Sequence, residues 1–309
     1  MVGFDAELRA GDLQSGKTVR FEHADGPYTA KKCMRDFGKP YYADLGRTEI
    51  VHLEDSLPAL KVTTQADTYG WLTSGAHLFS NIVPRDSYTL EYDVRFGEAD
   101  GSGFDFRRGG KLPGLSGGIS TSGGRKPQGD GWTVRYMWRE EGALVIYVYH
   151  LDMQGKYGDD LLLNFKAVAG QWYRLKMQVQ LNSADEKKDG LIKVWVDDKL
   201  VLEKNDLRFR KGTQAPIEHF FFAHFWGGQD PSWAPQVTSS TYFRNFELSE
   251  SPDTKKQPSR QDDLAEQSGI HSEPVQRSWC RSRRSGAAAR ARLKRCHRRG
   301  CRGSARSSN

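Results

Sequence analysis

Seven stretches of this chain alternate apolar and polar residues, or gather β-branched and aromatic residues, with turn-forming residues between them. They are 87–96 (SYTLEYDVRF), 132–138 (WTVRYMW), 143–150 (ALVIYVYH), 171–181 (QWYRLKMQVQL), 191–203 (LIKVWVDDKLVLE), 219–226 (HFFFAHFW) and 241–248 (TYFRNFEL). A period of two places successive side chains on opposite faces of a strand, a pattern that suits no helix. The breaks REEG, NSADEKKDG and GGQDPSWAP have turn chemistry. No capped amphipathic helix of ten residues stands out in the body of the chain. The expectation is an all-β fold, an antiparallel β-sandwich. Aromatics on both faces of the central strands imply one face in the core and the other lining a groove.

Charge divides the 309 residues in two. Residues 252–309 hold 15 of the 46 Lys/Arg and 5 of the 39 Asp/Glu, which leaves residues 1–251 slightly acidic, with 31 basic and 34 acidic residues. From Arg277 onward there are 12 Lys/Arg and no acid. Such a segment buries too little apolar surface to offset chain entropy. We therefore expect a folded domain over 1–251 and a disordered basic tail over 252–309. A nucleic-acid contact, if there is one, is expected only through that tail. Three of the four cysteines, Cys280, Cys296 and Cys301, lie there too, so the fold is not expected to rest on disulfides. No window is apolar enough for a membrane helix, and the start MVGFDAELRAGDL carries no visible export signal. The protein is expected to be a monomer.

Several motifs fail on inspection. Gly118 and Gly123 have phosphate-loop spacing, but Gly124-Arg125 stands where Lys and Ser/Thr are needed. Glu91-Tyr92-Asp93-Val94 runs into Arg95, one acid short of a sandwich glycosidase strand. His219 and His224, five apart on a strand, point to opposite faces and cannot share a metal. His224 is either a groove residue or a satisfied core histidine. Residues 107–132, with nine glycines and a group of cations, look like a long loop.

The hairpin after that stretch is more informative. In ALVIYVYH, Leu144, Ile146 and Val148 form an aliphatic core face. Tyr147 and Tyr149 project from the other face, about 7 Å apart. If Glu140-Glu141-Gly142 is a three-residue loop with Gly142 left-handed, Arg139 pairs with Ala143. Arg135 then lies opposite Tyr147 and Thr133 opposite Tyr149. On spacing alone, an ordinary exposed strand face remains an alternative.

GGKLPGL (109–115), SGGRKPQGDGWTVRYMW (122–138), YVYH (147–150) and GKYGDDL (155–161) together resemble polysaccharide lyase family 14, which includes alginate and glucuronan lyases. Weaker similarity continues through DGLIKVWVDDKLV (189–201) and HFFFAHFWGG (219–228), so the resemblance covers about residues 50–250 and leaves the basic tail out. The resemblance implies a β-sandwich of jelly-roll type and a lyase acting on an acidic polysaccharide. It carries Lys111, Arg135, Tyr147 and Tyr149 over as catalytic residues, with Thr133 where serine is usual. The implied reaction is β-elimination on a polyuronate. Lys111 and Arg135 would pair the sugar carboxylate, and a tyrosine would move the protons. Tyr149 is favoured as the main base and acid, with Tyr147 orienting or sharing, and the two cations are expected to lower the phenol pKa. The glycine-rich stretch would deliver Lys111 and then cover the groove. Arg125 and Lys126 would attract the polyanion. His224 and Trp226 are further substrate-binding candidates, and Trp132, Trp138 and Trp233 are candidates for stacking on sugar. Neither a metal nor an organic cofactor is required; the compartment is left open, with an extracellular setting implied by the family's substrates if the N-terminus is incomplete. A non-catalytic carbohydrate-binding sandwich and a tail-mediated nucleic-acid binder remain alternatives.

Overall fold

A computed structural model describes residues 12–97 and 103–251. The expected disorder of 252–309, its nucleic-acid role and its three cysteines lie outside the described residues. In chain order the elements are β1 (Thr18–Val19), β2 (Gly26–Pro27), α1 (Ala30–Phe37), β3 (Tyr42–Asp44), β4 (Thr48–His52), β5 (Pro58–Thr64), β6 (Ala76–Arg85) and β7 (Ser87–Phe96). After these come β8 (Gly110–Gly118), β9 (Gly131–Trp138), β10 (Ala143–Tyr149), β11 (Asp159–Lys166) and β12 (Trp172–Gln180). The last four are β13 (Gly190–Val196), β14 (Lys199–Leu207), β15 (Ile217–Trp226) and β16 (Ser239–Glu250).

These strands form two antiparallel sheets, a jelly-roll-type sandwich. One follows the order β14-β13-β12-β7-β16-β5-β4-β2, with β1 on β16; the other follows β11-β10-β9-β8-β15-β6-β3. Alternation decides which side chains fill the space between them. Leu90, Tyr92 and Val94 of β7 face Val134 and Tyr136 of β9, Ile146 of β10 and Phe222 of β15 in one continuous core. The Tyr92 and Tyr136 rings meet edge-on at 6.0 Å. Both hydroxyls stay satisfied, donating to the Pro113 and Lys176 carbonyls.

Two expectations change, and one short helix is added. Residues 191–203 are not one strand: Asp197 and Asp198 both take left-handed backbone (φ 49° and 62°), and the chain reverses there between β13 and β14. Residues 30–37 form a helix capped by Thr29, too short for a ten-residue pattern to register. The glycine-rich stretch is only partly a loop, because Gly110–Gly118 is an inner strand of the second sheet. Its glycines answer to close approach rather than to turning. A Cβ on Gly114 would sit 2.5 Å from the Arg135 Cα, and one on Gly110 would sit 2.1 Å from the Trp138 ring. Glycine is poor in strands by intrinsic preference, yet here it is the residue that lets the neighbours fit.

Candidate active site

The hairpin β9–β10 builds the floor of the site. Gly142 is left-handed (φ 78°), Arg139 N–H donates to the Ala143 carbonyl, and the register places Arg135 opposite Tyr147 and Thr133 opposite Tyr149. Leu144, Ile146 and Val148 enter the core, while Val145, Tyr147 and Tyr149 cluster with Met137 on the other face.

Lys111 reaches that face through an irregularity. In β8, Lys111 pairs with Met137 and Gly114 pairs with Arg135, so one extra residue is taken up around Leu112-Pro113. A regular strand would send residues 111 and 114 to opposite faces. The bulge puts both on the groove side and leaves Leu112 and Leu115 in the core. Proline has no N–H to lose from the ladder, which suits Pro113 to this spot. The Lys111 ammonium then lies 5.5 Å from the Tyr147 ring centre, 5.3 Å from Phe225 and 5.8 Å from Trp233. Gly227 makes room for it, since a Cβ there would fall 2.1 Å from Nζ.

A cleft of about 870 Å³ opens above this floor, lined among others by Lys111, Arg139, Tyr147, Tyr157, Asp160 and Trp233. Its acids are already engaged. Arg139 grips Asp160 with two hydrogen bonds of 2.8 and 2.7 Å, His150 holds Asp159 at 2.8 Å, and Asp230 accepts from Ser232. The cations beneath are not. Arg135 is only 3% exposed and forms no ion pair among the described residues. Its guanidinium lies 5.8 Å from the Tyr147 ring and 5.2 Å from Phe221, and its Nε has no partner. Burial lowers its pKa to about 10. Burial, Arg135 and Arg139 also drive Lys111 well below its ordinary value, against the pull of Asp160.

The two phenols are linked. Their oxygens are 3.3 Å apart and their rings meet edge-on at 5.4 Å. Each oxygen also accepts a backbone N–H at 3.1 Å, Gly158 for Tyr147 and Gly124 for Tyr149. Tyr147 borders the cleft, whereas Tyr149 lies fully buried under the 119–130 loop. The expected lowering of the phenol by the cations does not hold for Tyr147. Burial and the Tyr149 contact raise it, and outweigh Arg135 and the Gly158 N–H.

The other sequence candidates fall in different places. The buried Thr133 hydroxyl donates to the Thr121 carbonyl at 3.1 Å and so ties down the loop. Arg125 and Lys126 are exposed on that loop, with the Lys126 ammonium 3.5 Å from the Gln154 carbonyl. His224 and Trp226 are corrected: both are fully buried in the inter-sheet core, out of reach of any polymer. The His224 ring bonds the Lys111 carbonyl at 3.0 Å, and burial lowers its pKa to about 3, so it stays neutral. Its strand parity puts it on the core side with Phe222, while His219 takes the groove side. Trp132 and Trp138 are also core, and Trp233 alone of the four tryptophans lines the cleft. Arg139 was missed as a site residue. Its signal was present, because it shares a strand face with Arg135 but sits at the end of the run.

The model of the family described as polysaccharide lyase 14 matches residues 53–246. No curated protein matches the chain. Among solved structures, the alginate lyase Aly36B is 27% identical with a TM-score of 0.67, covering 77% of this chain and 98% of its own. Further Aly36B structures hold alginate tetrasaccharide or trisaccharide, in forms where a lysine and either a tyrosine or a methionine are replaced by alanine. The alginate lyase of Aplysia kurodai is 25% identical with a TM-score of 0.66, covering 77% of this chain and all of its own. The Chlorella virus lyase vAL-1, at 21% identity, covers 69% of this chain and 93% of its own with a TM-score of 0.59, and so shares the fold. A family model spanning well over half the residues, on a sandwich that two alginate lyases share over almost their whole length, makes this chain a member of the polysaccharide lyase 14 family.

Proposed function

We propose that the protein depolymerises a polyuronate, an alginate or glucuronan type chain, by β-elimination. The observation that carries this is Arg135, a buried guanidinium without a counter-charge. Burying an unpaired charge is costly, and a ligand carboxylate would offset that cost. A bidentate arginine–carboxylate pair also fixes the sugar's orientation.

In this mechanism the uronate carboxylate sits against Arg135 and Lys111, which hold the negative charge that builds as the adjacent carbon loses its proton. Tyr147, the phenol bordering the cleft, takes that proton as phenolate. The electron pair left on carbon forms the new C=C bond as the bond to the glycosidic oxygen breaks. That oxygen receives a proton from the Tyr147–Tyr149 pair, whose hydroxyls exchange protons across 3.3 Å. No water is consumed, and the product carries an unsaturated uronic acid at its new non-reducing end. The sequence favours Tyr149 as base; we assign the first step to Tyr147 because Tyr149 lies behind it. The catalytic unit in this account is residues 1–251, so removal of 252–309 leaves turnover intact.

The test is a panel of polymannuronate, polyguluronate and glucuronan, followed by the ultraviolet absorbance of the new double bond. Tyr147→Phe should lower kcat by roughly a thousandfold, within the range general acid–base groups supply. Polymer binding with no absorbance would support a non-catalytic carbohydrate-binding protein. Turnover retained in Tyr147→Phe would overturn the base assignment.

A further inference from the structure

The groove face of the second sheet does not end at the catalytic cluster. Directly opposed residues form one row across the strands: Tyr147 faces Arg135, Arg135 faces Gly114, Gly114 faces Phe221, Phe221 faces Phe79, and Phe79 faces Tyr42. Five strand spacings of about 4.8 Å make this row roughly 24 Å long. Side-chain contacts follow it without a gap. Arg135 lies over Phe221 at 5.2 Å, Phe221 stacks on Phe79 at 4.4 Å, and Phe79 stacks on Tyr42 at 5.5 Å. Trp71 stacks on Phe79 and approaches Phe225, whose ring also meets the Lys111 ammonium.

The two ends differ in chemistry. Around Arg135 and Lys111 there are uncompensated cations. Toward β3, Arg47 is spent on Asp44 and on the Gly75 carbonyl. What that end offers instead is exposed aromatic surface. Tyr42 is 38% and Tyr41 52% exposed, and Trp71 is part-exposed against Tyr42. Tyrosine and tryptophan present a broad apolar face with a polar edge, suited to a sugar ring, which has C–H faces and hydroxyl edges.

We propose that Tyr42 and Trp71 form a distal subsite that stacks on sugar rings of the polymer several units away from the bond being cleaved, so that the chain crosses the strands above this row, whose middle rings, Phe221 and Phe79, are buried and serve only to support Trp71 and Tyr42. The occupant is the same polyuronate, and the inference rests on the proposed lyase reading. The continuous contact with Arg135 and Lys111 singles out that polymer over a second protein. Stacking there is indifferent to the carboxylates, which are read at the other end.

The experiment compares Tyr42→Ala and Trp71→Ala with the parent protein on a polymannuronate polymer and on its purified trisaccharide. The kcat/KM on polymer should fall about tenfold while that on trisaccharide changes less than twofold, since a short chain cannot reach both ends. Tyr42→Phe keeps the ring and should restore the polymer rate. Equal losses on both substrates would mean damage to the fold or to the catalytic end, and no loss on either would mean the polymer lies elsewhere; both overturn the proposal. Calorimetric titration of polymannuronate into the Tyr147→Phe background reads the subsite without turnover. There Tyr42→Ala should weaken binding by a similar factor, and unchanged affinity would refute the subsite even if the β-elimination mechanism were wrong.

Discussion

Replacing Arg135 with methionine should make the protein inactive and slightly more stable at once. The guanidinium is almost wholly buried and unpaired, and its pKa has dropped to about 10. At 1.36 kcal/mol per decade, holding that charge in the empty groove costs on the order of 3 kcal/mol. Against this stand two ring contacts, with Tyr147 and Phe221, each worth about 0.5–2 kcal/mol. Methionine fills most of the same volume and adapts its shape. With about 1 kcal/mol taken for each contact, the net gain is about 1 kcal/mol, or roughly 3 °C in Tm for a domain of this size. Turnover on polyuronate should fall at least a hundredfold, because the carboxylate loses its fork. Scanning calorimetry and the double-bond assay on the same sample check both parts. A second signature is ligand dependence: uronate oligosaccharide should raise the Tm of the parent protein clearly more than that of Arg135→Met, which keeps Lys111 but loses the fork. A variant destabilised by several kcal/mol would mean that the charge is compensated in the fold, and the case for an acidic ligand would fail.

Gly227→Ala should reduce kcat/KM by about a hundredfold with little change in Tm, because the new methyl strikes the flexible end of Lys111 and displaces its ammonium. Normal kinetics in that variant would show that the ammonium position is unimportant. The rate should rise with pH from neutrality, since burial raises the Tyr147 phenol and the phenolate is scarce at pH 7; a maximum at acid pH would exclude tyrosine as base. Stability should fall as pH drops from about 6.5 toward 4. His77 and His224, lowered by burial to about 4 and about 3, stay neutral in the fold but protonate in the unfolded chain. Each therefore contributes stability that is present above pH 6.5 and lost below it. His224→Gln should flatten the acid limb of a Tm-against-pH curve, and an unchanged slope would count against this account.

The hairpin was the most legible part of the site. Its face assignment depends on strand parity and on a loop whose length is set by Gly142, and both are local properties. Arg135 opposite Tyr147 followed from those alone. Lys111 was legible only through the family resemblance. Its side of the sheet depends on the bulge near Pro113, and counting by twos from Gly114 gives the wrong face. The strand β8 was obscured because its glycines carry no strand preference of their own. They are required by Trp138, Arg135 and Pro216, residues far from them in the chain. His219 and His224 were correctly placed on opposite faces, but parity does not say which face meets the second sheet.

By itself, then, the sequence determined the all-β class, the alternation of the hairpin and the pairing of a cation with a phenol, because each depends on neighbours a few residues apart. Tertiary structure decided what those groups became. It brought Lys111 beside Tyr147 through one extra residue in β8, shut Trp226 and His224 into the core, and left Arg135 buried without a counter-charge. The reason is physical: the cost of a buried charge and the close approach of two backbones are set by whatever packs around a residue, and no local pattern encodes that.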